Sequence, residues 1–263
     1  MKKFITLCVT CLLILGISGC SKEEKIDENA LNTYVEAISN LYTYESFNLN
    51  IDVDMIDKSI SEEGESGKMS FKLGVDSLDD KKEMALQMNT TMFGESMESA
   101  FMAFYVHDNT MYMSIPMMQI YTATPLKEGD NSLDNITDNL PMEKITDSDK
   151  EEIKENLESL KMEEKDGNKI ITMVFNDKIL KDSENNEINK SIVGKDIIVV
   201  VNDKNQFIEL RLDSTITSDD VQITSLKMAF ENINEPIEFN FPDFSTFVVD
   251  EGGNILGSLN PSL

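Results

Sequence analysis

The chain is 263 residues long, with 49 acidic and 23 basic side chains and a formal net charge of −26. That charge repels phosphate backbones and anionic headgroups, which excludes nucleic-acid binding and a membrane grip through basic patches. One histidine and no tryptophan leave little room for histidine-dependent catalysis, while a hydrophobic content of 40% is enough for a folded core.

The N-terminus reads as an address. Met1-Lys2-Lys3 is a short positive region, and the apolar run from Phe4 to Ile17 is too short for a comfortable membrane span. The residues Ile17-Ser18-Gly19-Cys20 resemble a bacterial lipobox. The resemblance implies that residues 1–19 are a lipoprotein signal peptide, and that Cys20 becomes an acylated N-terminus carrying palmitate-type chains. Residues 20–27 then form the acylated tether. Cys8 and Cys11 leave with the leader, so the remaining chain has no disulfide, free thiol or thiolate metal site. Loss of Lys2 and Lys3 takes the charge from −26 to −28. The expected location is the outer face of the cell membrane. Twenty-two lysines against one arginine fit a low-GC Gram-positive source.

Beyond the tether, Leu31, Tyr34, Val35, Ile38 and Leu41 recur at helical spacing, which predicts a helix over Glu28 to Tyr42 with Asp27 as N-cap. The period then changes to two. Phe47, Leu49, Ile51, Val53 and Met55 alternate with polar residues, as in a half-buried strand. After a polar turn at Ser59 to Gly67, the same alternation marks Met69 to Val75 and Met84 to Met92. Met97 to Val106 is apolar on both faces, and its second half reads as a strand. His107-Asp108-Asn109 is a hairpin turn into Met111, Met113 and Ile115. Thr122 to Thr146 reads as loop with a short helix near Ile136 to Leu140. Ser148 and Glu151 form a capping-box pattern for a helix from Asp149 to Leu160. Strands resume with a hairpin around Asp166-Gly167, then Ile197 to Val201, Phe207 to Ile216, Val221 to Phe230 and a short Ile237 to Phe241. The glycine-bearing tail, 246–263, is expected to be flexible. No linker separates two complete cores, so residues 28–245 read as a single domain.

Catalytic apparatus is hard to find. His107 falls in a turn and reads as a solvated loop residue. Asp52 and Asp54 lie on the polar face of their strand, and the Asp- and Asn-rich stretch from Asp130 to Asp138 lacks calcium-loop spacing. No glycine-rich phosphate loop is present, and neither a metal nor a cofactor is expected. Methionine is the unusual feature, with ten residues between Met69 and Met118. Core filling accounts for them most simply. The other reading is a greasy, adaptable wall, since methionine is flexible and polarisable.

The segment from Phe230 to Phe239, with Asn232, Asn234 and Pro236, followed by Pro242, is similar to the closing strand of the LolA-like superfamily, which includes LolA, LppX and LprG. The hairpin from Tyr105 to Tyr112 also looks like that of uncharacterised Gram-positive lipoproteins of this type. The resemblance covers roughly 28–245. It implies an α+β fold: a strongly curved antiparallel half-barrel sheet with helices across its concave face, where carriers hold acyl chains. The expectation is a non-enzymatic, membrane-anchored envelope lipoprotein that binds a lipid or other apolar ligand. Phe47, Leu49, Ile51, Val53, Met84, Leu86, Met88, Met92, Met111 and Met113 would form or support its wall. The alternative is an interaction or sensor lipoprotein with a self-filled core and an acidic docking surface for a partner protein.

Overall fold

The structure, a computed structural model, describes residues 26–57, 65–78, 82–92, 95–96, 100–126, 145–176, 191–193, 196–212, 215–218 and 221–249. Helix α1 is Glu28–Asn40. Strands β1 (Ser46–Asp57), β2 (Glu65–Asp76), β3 (Glu83–Met92), β4 (Glu95–Ser96), β5 (Met102–His107), β6 (Thr110–Ile115) and β7 (Ile120–Pro125) follow. Helix α2 (Asp147–Asn156) leads into β8 (Leu157–Lys165), β9 (Asn168–Phe175), β10 (Ser191–Val193), β11 (Asp196–Val201), β12 (Phe207–Leu212), β13 (Thr215–Ser218) and β14 (Val221–Glu231). A two-residue strand, β15 (Val248–Val249), comes last.

All these strands belong to one sheet, twelve of them in the order β15-β7-β6-β5-β3-β2-β1-β14-β12-β11-β9-β8, with β4 paired to β3, and β13 paired to both β14 and β10. Every pairing is antiparallel except β15 on β7, and the two ends of the order do not meet. This is the expected α+β half-barrel: a large, unclosed, mostly antiparallel sheet with helices. Bulges at Asp54/Met55, Val200/Val201 and Leu157/Ser159 add local twist.

Helix α1 starts at Asp27, whose Oδ1 accepts the N–H groups of Asn29 (2.8 Å) and Ala30 (3.2 Å). Its buried face carries Ala30, Leu31, Tyr34, Val35 and Ala37, packed toward β8, β11 and β12. Helix α2 adds Ile153 to the same core, and Lys154 Nζ lies 2.7 Å from Glu28 Oε1, tying the helices together. The sheet face under both helices is the inner, concave face. Cross-strand pairing follows it through Leu160, Met173, Ile197, Leu212, Leu226 and Val53.

Several sequence expectations are corrected. Helix α2 ends at Asn156, and its capping box is Thr146 with Asp149 rather than Ser148 with Glu151. Leu157 and Leu160 sit in β8, where the bulge places both on the inner face, so a spacing of three imitates a helix. Strand β2 begins at Glu65, inside the expected turn, and β7 occupies the start of the expected loop. The strand expected over Phe207 to Ile216 divides into β12 and β13.

Ile237 to Phe241 is not a strand. Asn232 and Asn234 take positive φ of 54° and 57° and turn the chain off β14. Residues 237–247 then cross the outer face of the sheet as an aromatic strap. The alternation is that of extended chain laid on a surface, without a ladder. The leader, Cys20 and the tether through Lys25, the expected helix at Ile136 to Leu140, the Asp130 to Asp138 stretch and the tail from Asp250 lie outside the described residues.

Candidate functional site

Antiparallel register places eight of the ten expected wall residues on the inner face in rows that run across the strands. One row is Phe47, Val75, Met84, Val106, Met111 and Thr124; the next is Leu49, Leu73, Leu86, Phe104, Met113 and Thr122. A third is Ile51, Phe71, Met88, Met102, Ile115 and Ile120. No charged side chain stands in any of these rows. This holds in a chain with a formal charge of −26.

Burial divides the ten expected wall residues. Val53 (2% exposed), Met84 (4%) and Met113 (6%) are core. Leu49 and Ile51 pack against the cluster under the helices, while Phe47 packs against a smaller cluster of Val75, Met84 and Val106. Leu86, Met88 and Met111 are half-buried and belong to neither cluster. Met92 ends β3. Of the expected set, the half-buried residues outside both clusters lie on β3 and β6. Phe71, Met102 and Phe104 share the same inner rows and were missing from the sequence-based set. Phe71 had the right alternation. Met102 and Phe104 were hidden in a stretch apolar on both faces.

The outer face has a different chemistry. Phe239 and Phe241 stack with centroids 5.0 Å apart, and Phe244 lies parallel to Tyr112 at 3.7 Å. Phe247 meets Tyr112 and Tyr121 edge-on. His107 belongs here. It ends β5, its Nδ1 lies 2.9 Å from Glu83 Oε1, and its ring packs on Phe241 (4.7 Å) and Phe244 (5.9 Å). It is thus a half-buried member of the strap interface rather than a solvated loop residue. Of the expected turn, Asp108 and Asn109 alone form it, with φ of 46° and 56°. The strap's order along the sheet explains this placement, since Phe241 and Phe244 land where His107 presents its ring.

Titration of the described groups follows burial and caps. Burial pushes the Tyr34 phenol up to about 12 and raises Tyr44, whose hydroxyl donates to the Phe207 carbonyl at 3.0 Å. Hydrogen bonds from the Thr146 backbone and hydroxyl hold Asp149 below the usual carboxylate range. Among the described residues, no group of three or more His, Cys, Asp or Glu side chains could hold a metal ion. No helix of the described residues is long and apolar enough to cross a membrane.

No protein-family model matches the chain, and no curated protein matches it. Among solved structures, the chain is similar to LprF from Mycobacterium bovis, with 12% identity, 83% of this chain and 99% of that one covered, and a TM-score of 0.37. It is also similar to the LolA superfamily protein NE2245 from Nitrosomonas europaea, with 8% identity, coverage of 80% and 95%, and a TM-score of 0.25.

Proposed function

We propose that this chain is a non-enzymatic, extracytoplasmic lipoprotein. Acylated Cys20 holds it to the outer face of the membrane, and the inner wall of its half-barrel binds a lipid or other apolar ligand. One observation carries the reading. The three inner rows across β1 to β7 hold no charged residue, yet Leu86, Met88 and Met111 remain half-buried outside the packed clusters. An acyl chain that buries ten methylenes there gains up to about 8 kcal/mol before association costs. Methionine side chains adjust to ligands of varied outline.

Burial of Val53, Met84 and Met113 supports the second reading, an interaction or sensor module whose wall fills itself and whose acidic exterior docks a basic protein. Titration with an environment-sensitive apolar dye separates the two. Ligand binding gives saturable fluorescence, insensitive to salt, that Met88→Glu abolishes without unfolding the protein. Absence of dye binding, with partner capture that weakens steeply as salt rises, would favour the docking reading.

A further inference from the structure

The inner wall carries a polar residue near its β7 edge. Its middle row runs Leu49, Leu73, Leu86, Phe104, Met113 and Thr122 on six successive strands. Five interstrand steps of about 4.8 Å make a track about 24 Å long. Five of its residues are apolar. The sixth, Thr122 on β7, has a buried hydroxyl oxygen with no hydrogen-bond partner. Buried hydroxyls are normally paired, because leaving one unmade forfeits its hydration without return. Its cross-strand neighbours are Met113 on β6, which offers only a weakly accepting sulfur, and Val248 on β15, which offers no polar side-chain atom. The residues flanking it on the same face of β7, Ile120 and Thr124, offer one methyl-ended side chain and one further hydroxyl.

Charge restricts what could satisfy this oxygen. From Asn109 to Leu126 the sequence contains no charged residue, and the three inner rows described above contain none either. Among the described residues no cation shares these rows, so a carboxylate or phosphate brought to Thr122 would be desolvated without a counter-charge from them, beside a body of the same sign. A neutral hydroxyl or ester carbonyl would make the missing bond at little desolvation cost.

We propose that Thr122 is the polar-group subsite of the wall and that the ligand is an uncharged amphiphile. Its hydroxyl or ester sits at Thr122, and its hydrocarbon runs over Met113, Phe104 and Leu86 toward β1. This rests on the apolar-ligand reading above and adds the ligand's charge class and orientation.

The test uses the mature chain from Cys20, with Cys20→Ser so that it stays unacylated. 1-Palmitoylglycerol and palmitic acid, which share one chain, compete for a bound apolar dye at neutral pH. The glycerol ester displaces the dye at about tenfold lower concentration than the acid. Thr122→Val narrows that gap by about threefold to tenfold and raises the melting temperature of the ligand-free protein, because it removes an unpaired hydroxyl. Thr122→Ser keeps the gap. Equal displacement by both lipids overturns the proposal, as does an unchanged gap in Thr122→Val. A lower melting temperature in Thr122→Val overturns it too, since the hydroxyl would then have a structural partner. If neither lipid displaces the dye, the apolar-ligand reading fails and takes the subsite with it.

Discussion

Phe239 lies so close over Gly74 that a Cβ at Gly74 would stand 2.9 Å from the ring's Cε1 and 3.0 Å from Asn48 Oδ1. The glycine is required for close approach rather than for unusual backbone angles. It opens a flat place on β2 on which the strap crosses from β14 toward β7. Gly74→Ala should cost about 1–3 kcal/mol through overpacking. In a Phe239→Ala background the same change should cost less, because the ring is gone and only Asn48 Oδ1 stands close. Urea unfolding of the four proteins measures this coupling.

Phe244 is the strap's central contact, reaching Tyr105, His107, Tyr112, Phe241 and Phe247. Its replacement by alanine should remove about 2–4 kcal/mol, since the ring is only part-buried and its stacking terms are lost with it. Limited proteolysis should then cut within residues 237–247 before any other described segment. Cleavage elsewhere at the wild-type rate would show that the strap is held by its ends.

Alkaline stability should be governed by Tyr34 and Tyr44, whose phenols are both raised by burial. The folded pKa of Tyr34 is raised from 10.0 to about 12, so the folded state keeps the phenol's proton longer than the unfolded state. The contribution is fully present below pH 10 and is lost as pH rises toward 12. Two pKa units correspond to about 2–3 kcal/mol. Tyr34→Phe should reduce the slope of this limb in denaturant titrations between pH 9 and 12, leaving the part due to Tyr44, which is raised in the same direction.

The acid limb has the opposite sign. Asp149 is held below its ordinary value by bonds from Thr146. Its contribution is present above the unfolded carboxylate pKa and disappears as pH falls through the lower folded one. Asp149→Asn should remove that part of the acid dependence, read by circular dichroism of α2's unfolding against pH, while the alkaline limb stays unchanged.

Much of the sheet was legible because alternation and antiparallel pairing share one period. Phe47 to Met55, Met69 to Val75 and Met84 to Met92 each appear as one face, and register then stacks them in rows without further information. The misreadings have local causes. A bulge gave Leu157 and Leu160 a helix-like spacing. Extended chain on a surface gave Ile237 to Phe241 the alternation of a strand. Which wall residues are core depends on where the helices and Phe47 come to rest, and no single strand records that. The partner of His107 was equally hidden, because Phe241 and Phe244 stand more than a hundred residues away in the chain.

Native mass spectrometry of the chain from Cys20, with Cys20→Ser, purified from a bacterium without detergent, tests the central claim most directly. Ligand binding predicts a reproducible added mass that disappears on denaturation, is identifiable as lipid, and is absent from Met88→Glu and Met111→Glu. A clean protein mass that stays unchanged after incubation with envelope lipid extract would contradict it.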